Sequence, residues 1–264
     1  MALLDDAHAV VREYSTTWYG PVIGTPAPLN EAVTCAYLLM RAIDEIEDHS
    51  SLAAEDKGVL LRGVGRLLQT RFTESDFATL FREHVGVLPA VTLRIGEWTA
   101  LPPPDIGPRV YETFATMAER MAQWAAGGFT VRTGTDLDRY TYAVSGTLVL
   151  LLSDLWAWHD GTRTDRTLGV AYGRALQSVN ILIDRDEDAA RGVDFWPDGW
   201  GAADLAAYAR RELSGADAYL AALSDGPARA FCAEPLARAH RAVRTASRHL
   251  DHREDGHDSG GNTR

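Results

Sequence analysis

NEAVTCAYLLMRAIDEIED, residues 30–48, carries two readings at once. Ala32, Cys35, Leu39, Ile43 and Ile46 recur every three or four residues, the period of one buried helix face, and Asn30 stands where an N-cap belongs. On the same helix Asp44 and Asp48 are four apart, so their carboxylates point one way, a turn apart. Arg41 precedes Asp44 by three residues on that face, and Glu45 and Glu47 flank it. Like charges at this spacing repel by about 0.2–0.5 kcal/mol in water and by more when buried. One arginine cannot neutralise such a row; a hard divalent cation can.

A second stretch, QSVNILIDRDED at residues 177–188, repeats the pattern. Gln177, Asn180, Asp184 and Asp188 are spaced three, four and four, which reads as one polar stripe along a helix over residues 168–190. Val179, Ile181, Leu182 and Ile183 lie between them and read as buried, so the stripe is no ordinary solvated face. Two facing acidic helices predict a site for Mg²⁺, or Mn²⁺, that bridges carboxylates to a diphosphate inside a bundle. Two charged solvent faces are the plainer alternative; it suits one such cluster better than two.

Outward from these stretches the periodicity stays helical. Residues 56–72 are amphipathic through Leu60, Leu61, Val64, Leu67 and Leu68, and residues 75–98 form a further run that Pro89 ends or kinks. Residues 101–108 are a loop, after which Tyr111, Phe114, Met117, Ala118 and Met121 recur at three and four. Residues 137–158 are almost wholly apolar and hence central; residues 202–223 and 227–250 close the fold. GVGR at residues 63–66 follows no strand and is a local accident rather than a nucleotide loop. No strand pattern stands out. The expectation is one all-α bundle of roughly seven to nine helices over residues 1–250, followed by a disordered polar tail, residues 251–264.

Composition sets the outer limits. At 264 residues, 46% hydrophobic and 24% charged, the chain is a globular protein with one sizeable core. A net charge of −11 argues against nucleic acid and anionic lipid as partners. Lys57 is the single lysine among 26 basic residues. Cys35 and Cys232 sit in no metal or redox spacing and read as reduced core thiols of a cytoplasmic protein. The start of the chain has acids where a secretory leader has bases, and the most apolar run, residues 146–158, is too short to span a bilayer and contains Asp154; no stable membrane insertion is expected. Trp18, Tyr140, Trp156, Trp158 and Trp196 are candidate aromatic faces for a bound cation, and His159 reads as a helix C-terminal cap.

Over most of the chain, roughly residues 14–196, the sequence resembles the squalene/phytoene synthases, all-α enzymes that join allylic diphosphates. RAIDEIED resembles the family's first Asp-rich motif, with Arg41, Asp44, Glu45 and Asp48 at its matching positions, and QSVNILIDRDED the second, with Gln177, Asn180, Asp184 and Asp188. Residues 136–147, DLDRYTYAVSGT, resemble the tyrosine-containing helix, which places Tyr140, Val144 and Leu148 along the prenyl pocket; YSTTW, residues 14–18, sits where the family has a flap motif written HSKSF. The resemblance implies an isoprenoid-synthase-type bundle around a central apolar cavity. It implies Mg²⁺ held by Asp44, Glu45, Asp48, Asn180, Asp184 and Asp188, and substrate contacts from Arg41, Gln177, Asn180, Trp18, Val144, Leu148 and Val149. Asp44, Asp48, Asp184, Asp188 and Tyr140 are the catalytic candidates, Tyr140 as a proton acceptor through water, with released diphosphate the other candidate for that task.

The chain also departs from that family. Thr16 stands at the flap lysine, Ile183 at an arginine before the second motif's first Asp, and Val149 at a glycine of the channel helix. The second anion site therefore reads as dismantled and the tunnel as narrowed. Those departures favour a Mg²⁺-dependent prenyltransferase that ionises one allylic diphosphate and passes the prenyl group to a neutral, aromatic small molecule. Three alternatives stand beside it: a head-to-head synthase joining two prenyl diphosphates, a terpene cyclase, and an isoprenoid-binding relative without activity.

Overall fold

The computed structural model describes residues 2–128, 130–190 and 192–257, with side chains through residue 246. Among the described residues all regular structure is helical. In chain order the helices are α1 Ala2–Tyr14, α2 Tyr19–Ile23, α3 Leu29–Glu47, α4 Ala54–Leu68, α5 Glu74–Leu80, α6 Ala90–Leu93 and α7 Ile95–Trp98. There follow α8 Gly107–Ala126, α9 Gly134–Thr141, α10 Thr147–Asp160, α11 Arg166–Ile183, α12 Arg185–Ala190, α13 Ala202–Ala222 and α14 Pro227–His257. Helix α3 is central because it is apolar nearly all round: Leu29, Leu38, Leu39, Ala42, Ile43 and Ile46 are fully buried. Helices α8, α1, α6 and α10 pack around it, and α11 lies between α13 and α10.

Several expectations need correction. Asn30 is not the N-cap of α3, since the helix already begins at Leu29. Its side chain ties α3 to the preceding loop: Nδ2 donates to Val22 O at 2.9 Å and to Thr25 Oγ1 at 3.2 Å, and Oδ1 meets His8 Nε2 at 2.8 Å. The run over residues 75–98 is not one kinked helix but α5, a 3₁₀ turn at Arg82–His84, α6 and α7. GVGR is no nucleotide loop, yet it is no accident either. A Cβ on Gly65 would stand 3.0 Å from the Ala115 carbonyl oxygen, so the glycine is what lets α4 lie directly on α8.

The apolar run over residues 137–158 is helical throughout but not uniformly so. Between α9 and α10 the backbone widens into a π turn, Tyr142–Gly146. Helix α11 presses against that turn at Gly173, where a Cβ would fall 2.7 Å from Ser145 O and 2.8 Å from Gly146 Cα. The predicted helix over residues 168–190 is broken as well. It stops at Ile183; Asp184, at φ −100° and ψ 11°, forms a corner, and α12 starts at Arg185. Opening the corner turns Ile183 outward, 49% exposed, where the sequence pattern had it buried. The backbone bond from Asp188 N–H to Asp184 O, 2.9 Å, carries the acid spacing across the break. Helix α14 enters the segment expected to be a tail, of which residues 258–264 lie outside the described residues.

Candidate active site

A chamber of about 400 Å³ lies between α3 and the α11–α12 corner. Arg41, Asp44, Glu47 and Asp48 line it from α3 and its C-cap. Gln177, Asn180, Asp184, Glu187 and Asp188 line it from the other wall, and Tyr140, Val144, Ser145 and Leu148 from α9, the π turn and α10. The two acid rows read from the sequence thus meet across one space.

The electrostatics follow from this crowding. Asp44 is withdrawn from bulk solvent, and desolvation pushes its pKa up to about 7; Arg41 pulls it down, while Asp48 and Glu45 push it further up. Arg41 is engaged by Glu45, one turn on, through Nε at 2.9 Å and through Nη2. Glu45 is not among the residues lining the chamber, so its placement fits orienting the guanidinium better than ligating a metal. Arg41 also lies over the Tyr14 ring, 5.5 Å from its centroid. On the far wall Asp188 is 6% exposed whereas Glu187 is open to solvent. Tyr140 stands between the rows. Burial first, then the charges of Glu47, Asp48, Asp44 and Asp188, hold its phenol well above the ordinary value. A phenol kept neutral is a hydrogen-bond donor, which argues against Tyr140 as a proton acceptor. Its ring stacks on Phe195 at 4.4 Å and meets Trp124 edge-on at 5.5 Å.

The donor set is hard oxygen: six carboxylates and two side-chain amides face the chamber among the described residues. Among the described residues no three acids converge tightly enough to cage an ion by themselves. Mg²⁺ does not ask for such a cage, since it commonly takes one or two carboxylates and completes its shell with water and phosphate oxygens. These residues therefore fit a cation that arrives with a diphosphate.

An apolar pocket of about 80 Å³ adjoins the chamber and shares Trp18, Tyr37, Met40, Ser145, Leu148 and Leu176 with it. Val149, Leu152 and Phe231 line the part that is not shared with the chamber. Of the aromatic residues expected to face a cation, Trp18 and Tyr140 line this space. Trp156, Trp158 and Trp196 do not. Trp156 is core against Phe231, Trp158 donates to Asp105 at 2.9 Å, and Trp196 lies under Arg185 with its Nε1 donating to Ile181 O. Tyr14, Tyr37 and Phe195 take their place. Sequence reading also passed over Glu47 as a lining residue, although its spacing of three from Asp44 was available as a signal; Phe195 carried none, because a loop brings it in. The flap segment is held by Ser15, whose Oγ accepts from the Thr17 and Trp18 amides at 3.2 and 3.0 Å. Cys35 and Cys232 are buried free thiols, and His159 lies in the last turn of α10.

Among the described residues no helix is long and apolar enough to cross a membrane. The family model for squalene/phytoene synthase matches residues 11–203. Squalene synthase of Schizosaccharomyces pombe is 26% identical over 197 residues, covering 65% of this chain and 39% of that protein. Squalene synthase of Eremothecium gossypii is 25% identical over 238 residues, covering 83% and 52%. The chain therefore spans about half the length, or less, of these curated relatives. Among solved structures, TcSQS with the ligand E5700 superposes with a TM-score of 0.77 at 21% identity, covering 91% of this chain and 78% of that one. A dehydrosqualene synthase with ligand gives 0.54 at 16%, covering 92% and 84%. Both likenesses concern the fold, and neither these relatives nor these structures point to a cyclase. With the two acid rows on one chamber and a family match over most of its length, the chain belongs to the squalene/phytoene synthase family, whose members are prenyltransferases.

Proposed function

We propose that the protein joins two prenyl diphosphates head to head in a Mg²⁺-dependent reaction. One observation carries this: two acid rows on opposite walls of a single chamber that adjoins an apolar pocket. The relatives named above, all squalene-type synthases, support the head-to-head reading over a neutral aromatic acceptor.

Asp44 and Asp48 on one wall, and Asn180, Asp184 and Asp188 on the other, would hold the cation, which supplies charge neutralisation for the departing diphosphate. Arg41, fixed by Glu45, donates to the diphosphate oxygens, and Gln177 adds a neutral donor. The prenyl chain lies along Val144, Leu148 and Val149, with Trp18 at the junction of chamber and pocket. The developing allylic cation meets aromatic faces rather than water, and Tyr140, held protonated, offers a donor without becoming a nucleophile. A cytoplasmic setting belongs to the same proposal.

One specific observation favours the neutral-acceptor reading. Arg41 is the sole basic side chain lining the chamber among the described residues, and Thr16 and Ile183, at the positions of the family's cations, are exposed and uncharged. The deciding experiment incubates the protein with Mg²⁺ and farnesyl or geranylgeranyl diphosphate and no other acceptor. A C30 or C40 head-to-head product at an enzymatic rate is expected. Turnover that begins only when an aromatic compound is added would overturn the main reading in favour of the second.

A further inference from the structure

The end of α3 is an unfavourable place for a row of acids. Carbonyls in the last turn of a helix have no partner within it, and the negative end of the helix dipole repels carboxylates. Asp44, Glu45 and Glu47 crowd that turn, Asp48 is its C-cap, and the turn holds no basic residue of its own. The peptide group that joins Glu47 to Asp48 is nevertheless held at both ends. Its N–H donates to Asp44 O at 2.8 Å, and its carbonyl oxygen accepts from Lys57 Nζ at 2.6 Å. Lys57 is half-buried in the first turn of α4, and its ammonium supplies the donor that a continuing helix would have supplied. Every other basic residue of the chain, histidines aside, is an arginine. A compact ammonium suits a single carbonyl, whereas the flat guanidinium fork suits paired acceptors. Lys57 is not among the residues lining the chamber. It lines a side pocket of about 240 Å³ that shares Glu47, Asp48 and Phe195 with the chamber, and so reaches the acid row through its backbone.

We propose that Lys57 is a positioning residue: by holding the Glu47–Asp48 peptide group it sets where the Asp48 carboxylate stands relative to Asp44, and so how well the first acid row fits a metal-bound diphosphate. The inference rests on the reading of the chamber as a metal–diphosphate site, and on nothing about which acceptor takes the prenyl group. Losing the Nζ bond frees the carbonyl end of that peptide group, and Asp48, half inside the helix at φ −75° and ψ −9°, turns with it.

The test uses the full chain. Because Lys57 is the single lysine, ¹⁵N-lysine labelled at Nζ gives one side-chain ammonium signal in magnetic resonance. Mg²⁺ with inorganic diphosphate should shift that signal, and Mn²⁺ in place of Mg²⁺ should broaden it. Affinity for Mn²⁺ with inorganic diphosphate, read from the spin resonance of free Mn²⁺, should fall about tenfold in Lys57→Met, and Lys57→Arg should recover part of the loss. In an Asp48→Asn background Lys57→Met should cost less than about twofold, because the group it positions is gone. The proposal is overturned if Lys57→Met binds like the parent protein, whatever its melting temperature, since Lys57 would then be a structural clamp alone. It is also overturned if Lys57→Met costs as much in the Asp48→Asn background as in the parent, which would make Lys57 a general counter-charge. If Lys57→Met does not fold, the parent's signal decides: no shift and no broadening while free Mn²⁺ falls overturns the proposal and leaves the site reading standing. A parent protein that binds no Mn²⁺ with diphosphate overturns the site reading and the proposal with it.

Discussion

The first acid row sits on one helix and its C-cap, with the other faces of the helix in the core; the second straddles a corner whose outer side is wet. On α3, Asp44 shares its turn with Ile43 and Ile46, both fully buried, and its carboxyl is pushed up to about 7. On the other wall Asp184 is itself the corner, Ile183 before it and Glu187 after it are exposed, and only Asp188 is deeply buried. Identical spacing in sequence has thus produced a helical wall and a cornered one. The helical wall concentrates the electrostatic cost of the metal-free protein.

The largest effects should come from cutting either row. Asp44→Asn and Asp48→Asn on one side, and Asp184→Asn and Asp188→Asn on the other, should each lower turnover with Mg²⁺ by about a hundredfold or more while circular dichroism stays unchanged. A chelator should abolish diphosphate release in the parent protein. Near-normal rates in the second-wall variants alone would show that the helical wall works unaided.

Gly173→Ala tests how the second wall is braced. Its Cβ would meet backbone of Ser145 and Gly146 at under 3 Å, so α11 must move off the π turn. We expect a loss of about 1–3 kcal/mol in urea unfolding. Destabilisation within about 0.5 kcal/mol would mean that this wall gives way at no cost.

The helical wall has a pH signature in the metal-free protein. The Asp44 carboxyl titrates near its ordinary 3.8 when unfolded and near about 7 when folded, so over that interval the folded chain holds more protons. Stability should therefore fall as pH rises from about 4 through 7, and Asp44→Asn should flatten that part of the profile. Melting curves recorded with a chelator check this; an unchanged slope in the variant would place the burden elsewhere.

The smallest effect belongs to the tail. Truncation after Asp251 should alter stability by no more than about 0.5 kcal/mol and leave turnover intact. A marked loss of either would make this segment part of the working fold.

Helix existence and the facing acids were legible because both rest on periodicity, which a sequence displays directly. What periodicity cannot display is a change of register inside a continuous helical run. The π turn at Tyr142–Gly146 and the corner at Asp184 each lie in a stretch that reads as unbroken helix, and tertiary packing decides both. Asn30 shows the same limit at a helix start: cap chemistry was present, but its amide found better partners in Val22 O, Thr25 and His8. Aromatic residues misled for a different reason. Trp156, Trp158 and Trp196 are suitable rings, and only their neighbours in space separate core from cavity.

The π turn also conserves a rotational setting. Each residue of an α-helix advances the chain by about 100° around its axis, and a π turn winds its residues less tightly, so the five residues Tyr142–Gly146 cover roughly the rotation of four in an α-helix. The added residue is absorbed without turning α10, and Leu148, Val149 and Leu152 keep the faces that an unbroken helix would give them. Deleting Ala143 would therefore restore α geometry and leave the lining of the pocket in place, while removing the widened backbone against which Gly173 of α11 packs.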